Sequence, residues 1–436
     1  MMRKFVAAAV AILSIQFWKG RYGIQHSILT KPDLPAGYYH AGNYLTQCSS
    51  LKDEQNGLLR NCEDAAFWEL HDSAGKLTER KVLLSCDEGR REWNTVMGPL
   101  EDPEPHGTLW IYSPQSTDAT PARIFLQNYP EGHDFHPLGI EIYPSHGGNA
   151  SYLYVVNHAR HKTVIEQFLL DPTKPRYAKY LQTLTSPWFI SPNSLALTSP
   201  TSFFVSNDHL ITRRLPVIGK FVPLIETLLA LPFSFVSHVS LGGQPDSAAS
   251  EVQHSVVAPF VSFSNGVAFS PSGSQLAIAS TVVGQVFIYN VTQSPSSTKP
   301  TLTHIHTVQL PFSVDNLAWT SPSEIVVAGH PHFPTLLKFI AMKAPHAPSW
   351  VVAIRLNEGA APVNTSEPFD IRAPLSLSTK VPHPPAPYTV ETLFQSDGSF
   401  FSTSTTGLHD PLTGQLIMSG LYAYDGAMVC KPEVER

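Results

Sequence analysis

From about residue 60 onward the chain repeats one phrase. A short run of alternating apolar positions is followed by a Ser/Pro/Gly turn and a second run rich in Val, Ile, Ala and aromatics, the signature of paired β-strands. Leu138–Pro144 leads to Ser151–Asn157, Asn193–Pro200 to Ser202–Asn207, Asn265–Pro271 to Gln275–Ser280, and Asp315–Pro322 to Glu324–His330. Fainter copies span Ala66–Cys86 and Ser399–Tyr422. Copies begin roughly 50 to 70 residues apart, the spacing of four-stranded propeller blades. The pattern predicts an all-β, six-bladed β-propeller over residues 46–436, preceded by a 1–45 segment made of a hydrophobic helix and a linker. Two packed sandwiches compete with this reading. The polar Asn or Asp that opens each phrase favours the propeller, whose inner strands start at a central channel.

Two segments break the repeat. Residues 215–236, around Phe221–Phe233, are strongly apolar with a helical stretch between prolines. They read either as an insertion packed over a blade or as an amphipathic helix facing a membrane or lipoprotein surface. Residues 373–388, with Pro382–Pro387, read as an exposed loop of polyproline character.

Composition sharpens the class. The 436 residues are 42% hydrophobic and 10% aromatic, enough for a large core. Charged residues are 15%, against roughly 25% in an average globular protein. The 38 prolines argue against long helices. A net charge of −6 without a basic block disfavours nucleic acid as a partner.

The N-terminus pairs Arg3-Lys4 with an apolar run from Phe5 to Phe17. That is the length of a signal-peptide core and lacks a clear small-x-small cleavage site, so the segment is expected to enter the secretory pathway and either leave or remain as an anchor. Acceptor sequons at Asn149, Asn290 and Asn364 fit that route, with Asn149 and Asn290 at expected turn edges. Four cysteines, Cys48, Cys62, Cys86 and Cys430, match no zinc-ribbon spacing and allow three disulfide pairings. Cys48–Cys430 with Cys62–Cys86 is favoured because the first pair ties the chain's two ends together.

Glu63 and Asp64, Asn193, Asn265, and Asp315 with Asn316 open the phrases, and one end of a propeller would bring them to a common axis. Carboxylate and amide oxygens without cysteine suit a hard cation, and mixed sets of this kind fit calcium. His158, His209 and His330 fall at comparable blade positions and are candidates for the channel, where a neutral imidazole can accept a proton from water. No Gly-x-Ser-x-Gly elbow, P-loop, dinucleotide fingerprint or His-Glu-x-x-His occurs.

Val155–His158, Ser206–His209, Ser264–Pro271, Val314–Leu317 and Gly329–Pro331, in this order, resemble the serum paraoxonase/arylesterase family, from about Cys48 to Cys430. The resemblance implies a six-bladed propeller with two calcium ions in its tunnel and a disulfide joining the two ends. It implies a catalytic calcium held by Glu63, Asn193, Asn265, Asp315 and Asn316, polarising the carbonyl of an ester or lactone. A buried structural calcium would use Asp64, Asn316, the carbonyl of Ile140 and an aspartate. At that last position the chain has Ser194, which weakens or abolishes the second site. The family's hydrolases also carry a histidine where this chain has Leu138; its dyad partner matches His158. His136, two residues earlier and on the same face of an extended strand, is the candidate substitute. The expected activity is therefore a calcium-dependent arylesterase or lactonase. The alternative is a non-catalytic, calcium-stabilised propeller that binds a ligand or a protein partner.

Overall fold

In the computed structural model, residues 11, 14, 44–101, 106–116, 120–242, 251–293, 299–356 and 387–432 are described. The predicted N-terminal hydrophobic helix apart from Ala11 and Ser14, Asn364, and the 382–387 loop apart from Pro387 lie outside them. Among the described residues no helix is long and apolar enough to cross a membrane.

The chain forms a six-bladed β-propeller, each blade four strands that meander outward from a central channel. The inner strands are Cys62–His71, Pro137–Ile142, Pro192–Ser199, Ser264–Phe269, Ser313–Ser321 and Ser404–His409. Each pairs with the strand that follows it, and these six hairpins are the repeated phrases of the sequence. Blades 1 to 5 are continuous in sequence. Blade 6 is completed by Cys48–Leu51, which pairs antiparallel with Ala427–Cys430 and so closes the ring with the first strand among the described residues. Cys48 and Cys430 face each other in that pairing and are disulfide-bonded. Cys62 and Cys86 are bonded across the first hairpin, so no cysteine is free. Structural disulfides of this kind belong to an oxidising compartment.

Alternation along each strand sends apolar side chains into the spaces between blades. Ala277, Ile288, Val327 and Val352 join blades 4 and 5, and Trp68, Leu83, Ile140 and Phe168 join blades 1 and 2. Comparable clusters fill the other four interfaces, so every blade has a packed neighbour on both sides.

The inner strands share one irregularity at the channel end. Register slips between Cys62 and Asp64, Pro137 and Ile140, Pro192 and Leu195, Ser264 and Val267, Val314 and Leu317, and Ser404 and Thr406. Such a bulge leaves residues out of the ladder and re-aims their side chains. The residues released are Glu63, Leu138, Asn193 with Ser194, Asn265, Asp315 with Asn316, and Thr405.

The 215–236 segment contains a 3-10 turn at Ile218–Lys220 and a helix at Val222–Leu228, and from Ser234 it is already the third strand of blade 3. Val217 and Phe221 are 72% and 62% exposed on its outer side. Asn149 is exposed in a turn, whereas Asn290, also exposed, lies inside the strand Gln285–Thr292 rather than at the turn edge expected.

Adjacent inner strands approach closely at two glycines. A Cβ on Gly139 would lie 2.1 Å from the Asn193 carbonyl oxygen, and one on Gly266 would lie 2.7 Å from the Asn316 Cα. We therefore expect Gly266→Ala to destabilise the fold by about 1–3 kcal/mol and to displace Asn316. Thermal melting checks this; an unchanged midpoint would show that the inner strands can separate without cost.

Candidate metal centre and catalytic cavity

Glu63, Asn193, Asn265 and Asp315 arrive from four different blades and line a single cavity. Asn316 joins them through its amide, which donates to Glu63 Oε1 at 3.0 Å. All five side chains are buried. Four of their oxygens, Glu63 Oε2, Asn193 Oδ1, Asn265 Oδ1 and Asn316 Oδ1, have no hydrogen-bond partner. Buried acceptors left unpaired are costly, and four on neighbouring residues of one site is the pattern that a hard cation resolves. The charges agree with it. Burial, then the negative charges of Asp64 and Asp315, hold the Glu63 carboxyl well above the usual carboxylate range. The donor set, two carboxylates and three amides, fits a divalent cation that takes oxygen ligands. Among the described residues no group of three or more His, Cys, Asp or Glu has metal-binding geometry; the amide oxygens distinguish this centre.

The second predicted site differs. Asp64 Oδ1 accepts from the Ala65 N–H at 2.8 Å and the Thr406 hydroxyl at 2.9 Å, and Oδ2 accepts from the Ile140 N–H at 2.9 Å. Ser194 Oγ accepts from the Val267 N–H at 3.2 Å. Burial pushes the Asp64 carboxyl up to about 6 despite these bonds. Its oxygens are satisfied by protein donors, and toward Asp64 Ile140 presents its amide rather than the expected carbonyl. These residues do not fit a second cation.

The histidines separate into three situations. His158 lines the cavity with both nitrogens engaged: Nδ1 is 2.8 Å from the Thr95 hydroxyl and Nε2 is 2.8 Å from the Pro192 carbonyl oxygen. A carbonyl only accepts, so Nε2 carries the proton and Nδ1 accepts from Thr95. Burial, reinforced by the positive charge of Arg214, pushes the ring's pKa down to about 3. His330 also lines the cavity; its Nε2 is 2.8 Å from Asp315 Oδ2 and its Nδ1 has no partner. His136 and His209 are not among the cavity-lining residues. His136 stacks on Trp93 and meets His106 edge-on, with Nδ1 3.0 Å from Asp87 Oδ2. His209 is sealed beneath the insertion helix, 2.8 Å from Thr227 and edge-on to Phe263.

Three features of the cavity have no counterpart among the sequence-derived candidates. Asp208, just past the second strand of blade 3, adds a third carboxylate, with Oδ1 lacking a hydrogen-bond partner. Its place beside His209 in Asn207-Asp208-His209 was the available signal. Arg90, in the loop after Cys86, is 1% exposed and lines the wall. The roof is the helix Phe333–Ile340, capped by His332 and carrying Pro334 in its first turn, where a missing N–H costs nothing. Phe333, Leu336, Leu337 and Ile340 line the cavity, joined by Leu138 and Leu421. The centre is thus polar at its floor and apolar above.

For His158 the unfolded ring ionises near 6.5 and the folded ring near 3. Stability owed to the neutral ring is complete above about 6.5 and is lost progressively as pH falls toward 3. We expect nitrogen-detected NMR at pH 5 to show a neutral, Nε2-protonated His158; a protonated ring there would contradict this geometry.

Comparison with known proteins places the chain in a family. The arylesterase family profile matches residues 102–366. Human serum paraoxonase/lactonase 3 is 27% identical over 235 residues, covering 50% of this chain and 60% of the relative. Mouse serum paraoxonase/arylesterase 1 is 29% identical over 184 residues, covering 42% of this chain and 45% of the relative. The chain spans about half the length of the relatives it matches. Among solved structures, a luciferin-regenerating enzyme aligns over 88% of this chain and 95% of its own at 9% identity and a TM-score of 0.42. The periplasmic gluconolactonase of Pseudomonas aeruginosa aligns over 81% and 77% at 11% identity and a TM-score of 0.40; values so low carry no argument. The family match covers more than half of the chain, which therefore belongs to the arylesterase family.

Proposed function

We propose that this protein is a calcium-dependent hydrolase of aryl esters or lactones. The observation that carries the reading is the gathering of unpaired oxygens on Glu63, Asn193 and Asn265 in one apolar-roofed cavity, with a fourth on Asn316, which is hydrogen-bonded to Glu63. Glu63, Asn193, Asn265, Asp315 and Asn316 would hold the ion. Calcium so bound supplies a Lewis acid toward a substrate carbonyl. The roof helix and Leu138 bind the apolar part of the ester and keep bulk water from the floor. His330 is held by Asp315 through Nε2, which leaves Nδ1 as the atom placed to take a proton from water. His158, locked between Thr95 and Pro192, orients the wall, and His136 on Asp87 does not take the place of the absent histidine.

A second reading, a non-catalytic calcium-stabilised propeller, is favoured by Leu138 and by the full engagement of His158. The two separate in one experiment on the purified full chain: metal content, melting, and turnover of phenyl acetate and a panel of lactones, with and without chelator. The hydrolase requires one calcium per chain and chelator-sensitive turnover, with Asn265→Ala losing at least about a hundredfold, on the scale of a lost oxyanion-stabilising contact. Calcium that raises the melting temperature without any turnover would establish the second reading.

The disulfides and the exposed sequon residues Asn149 and Asn290 support passage through the secretory pathway. We also assign the outer side of the 215–236 insertion to a lipid surface, since Val217, Ile218, Phe221 and Ile225 are exposed there within a segment of scant charge. Wild-type protein should co-sediment with phosphatidylcholine vesicles, and Phe221→Glu should reduce the bound fraction several-fold, as loss of a buried aromatic from an interface implies. Equal sedimentation of the two would remove the assignment.

A further inference from the structure

Among the described residues lining the cavity, Arg90 is the sole lysine or arginine. It is buried, and one of its terminal amino groups donates to the Pro137 carbonyl. Among the described residues its Nε has no hydrogen-bond partner. A buried guanidinium held by a single carbonyl is expensive unless something else completes it. Of the cavity's carboxylate oxygens, Glu63 Oε1 accepts from Asn316, Asp315 Oδ2 faces His330 and Asp208 Oδ1 lies 3.3 Å from His209 Nδ1, while the unpaired Glu63 Oε2 belongs to the cation position. The guanidinium's charge is nevertheless felt at Glu63, His158 and Tyr422, three walls of the same space. Above it the surface is apolar, formed by Leu138, Phe333, Leu336, Leu337, Ile340 and Leu421.

We propose that Arg90 forms a carboxylate subsite beside the cation position, so that the cavity takes a monocarboxylate with an apolar aliphatic or aryl tail. A planar fork of N–H donors matches a carboxylate, while the roof covers the tail. The identity of the natural ligand rests on the hydrolase reading. Water oxygen bonds to the acyl carbon, and the ester C–O bond breaks with its electron pair on the leaving oxygen, which takes one of the water's protons. The acid formed loses its own proton to solvent at neutral pH. Arg90 holds the resulting carboxylate, so the acid product competes with substrate for the cavity.

Binding can be measured without turnover. The calcium-loaded full chain is titrated with hexanoate and with its uncharged counterpart hexanamide. Wild type should prefer hexanoate by about tenfold or more, the scale of one charge-assisted contact. Arg90→Gln should bring the two within about twofold, while Arg90→Lys should keep part of the preference. Should the glutamine variant fail to fold, a wild-type crystal structure with hexanoate serves instead, with the carboxylate expected against the guanidinium. No preference in wild type, a preference that survives in Arg90→Gln, or a carboxylate bound away from Arg90 would each overturn the proposal. Hexanoate held through Arg90 by a protein that turns over no ester would reject the hydrolase and keep the subsite; turnover without that preference would do the reverse.

Discussion

Everything at the centre of this molecule depends on one repeated local event, the loss of β-ladder register at the channel end of each inner strand. In a regular strand Glu63 or Asn265 would alternate strictly with its neighbours and half of these residues would point into the blade interfaces. The bulge takes them out of the ladder, and the six-fold arrangement delivers them to one axis. The close contacts of Gly139 with Asn193 and of Gly266 with Asn316 are the steric side of the same arrangement, since inner strands this near leave no room for a Cβ.

Bringing Glu63, Asp64, Asp208 and Asp315 together creates a problem that the structure meets in two ways. Asp64 is neutralised locally, its oxygens taken by Ala65, Ile140 and Thr406. Glu63 and the three asparagines keep oxygens unpaired. The difference between a saturated and an unsaturated carboxylate, one residue apart in the chain, is what divides the two positions into one that does not fit a cation and one that does. Ser194 belongs to the saturated side: its hydroxyl accepts a backbone N–H and brings no further charge.

Above the floor the chemistry changes within a few residues. The Phe333–Ile340 helix presents Phe333, Leu336, Leu337 and Ile340 downward, and buries Phe339 alongside Tyr422 and Ala347. Arg90 and His330 occupy the boundary between the two regimes, where low polarity strengthens each interaction a charged group makes. An apolar roof over a polar floor orients a molecule that has one polar end.

The sequence alone determined the ring. All six inner hairpins were legible because inner and second strands are buried, and burial forces period-2 alternation bounded by Ser/Pro/Gly turns; the outer strands, such as Thr301–Gln309 with exposed His304, carry a weaker pattern. Glu63, Asn193, Asn265, Asp315 and Asn316 were legible as well, since each opens a phrase at a fixed place in the repeat. Arg90 and the roof helix were not, because they sit in connections outside the repeat and acquire meaning only through what lies opposite them. The state of the histidines was decided by the fold for the same reason. Whether His158 is free, whether His136 reaches the cavity, and whether Asp64 needs a cation all depend on partners such as Thr95, Asp87 and Thr406. Those partners are far away in sequence, and a hydrogen bond is set by ångström-scale placement that no local pattern of residues encodes.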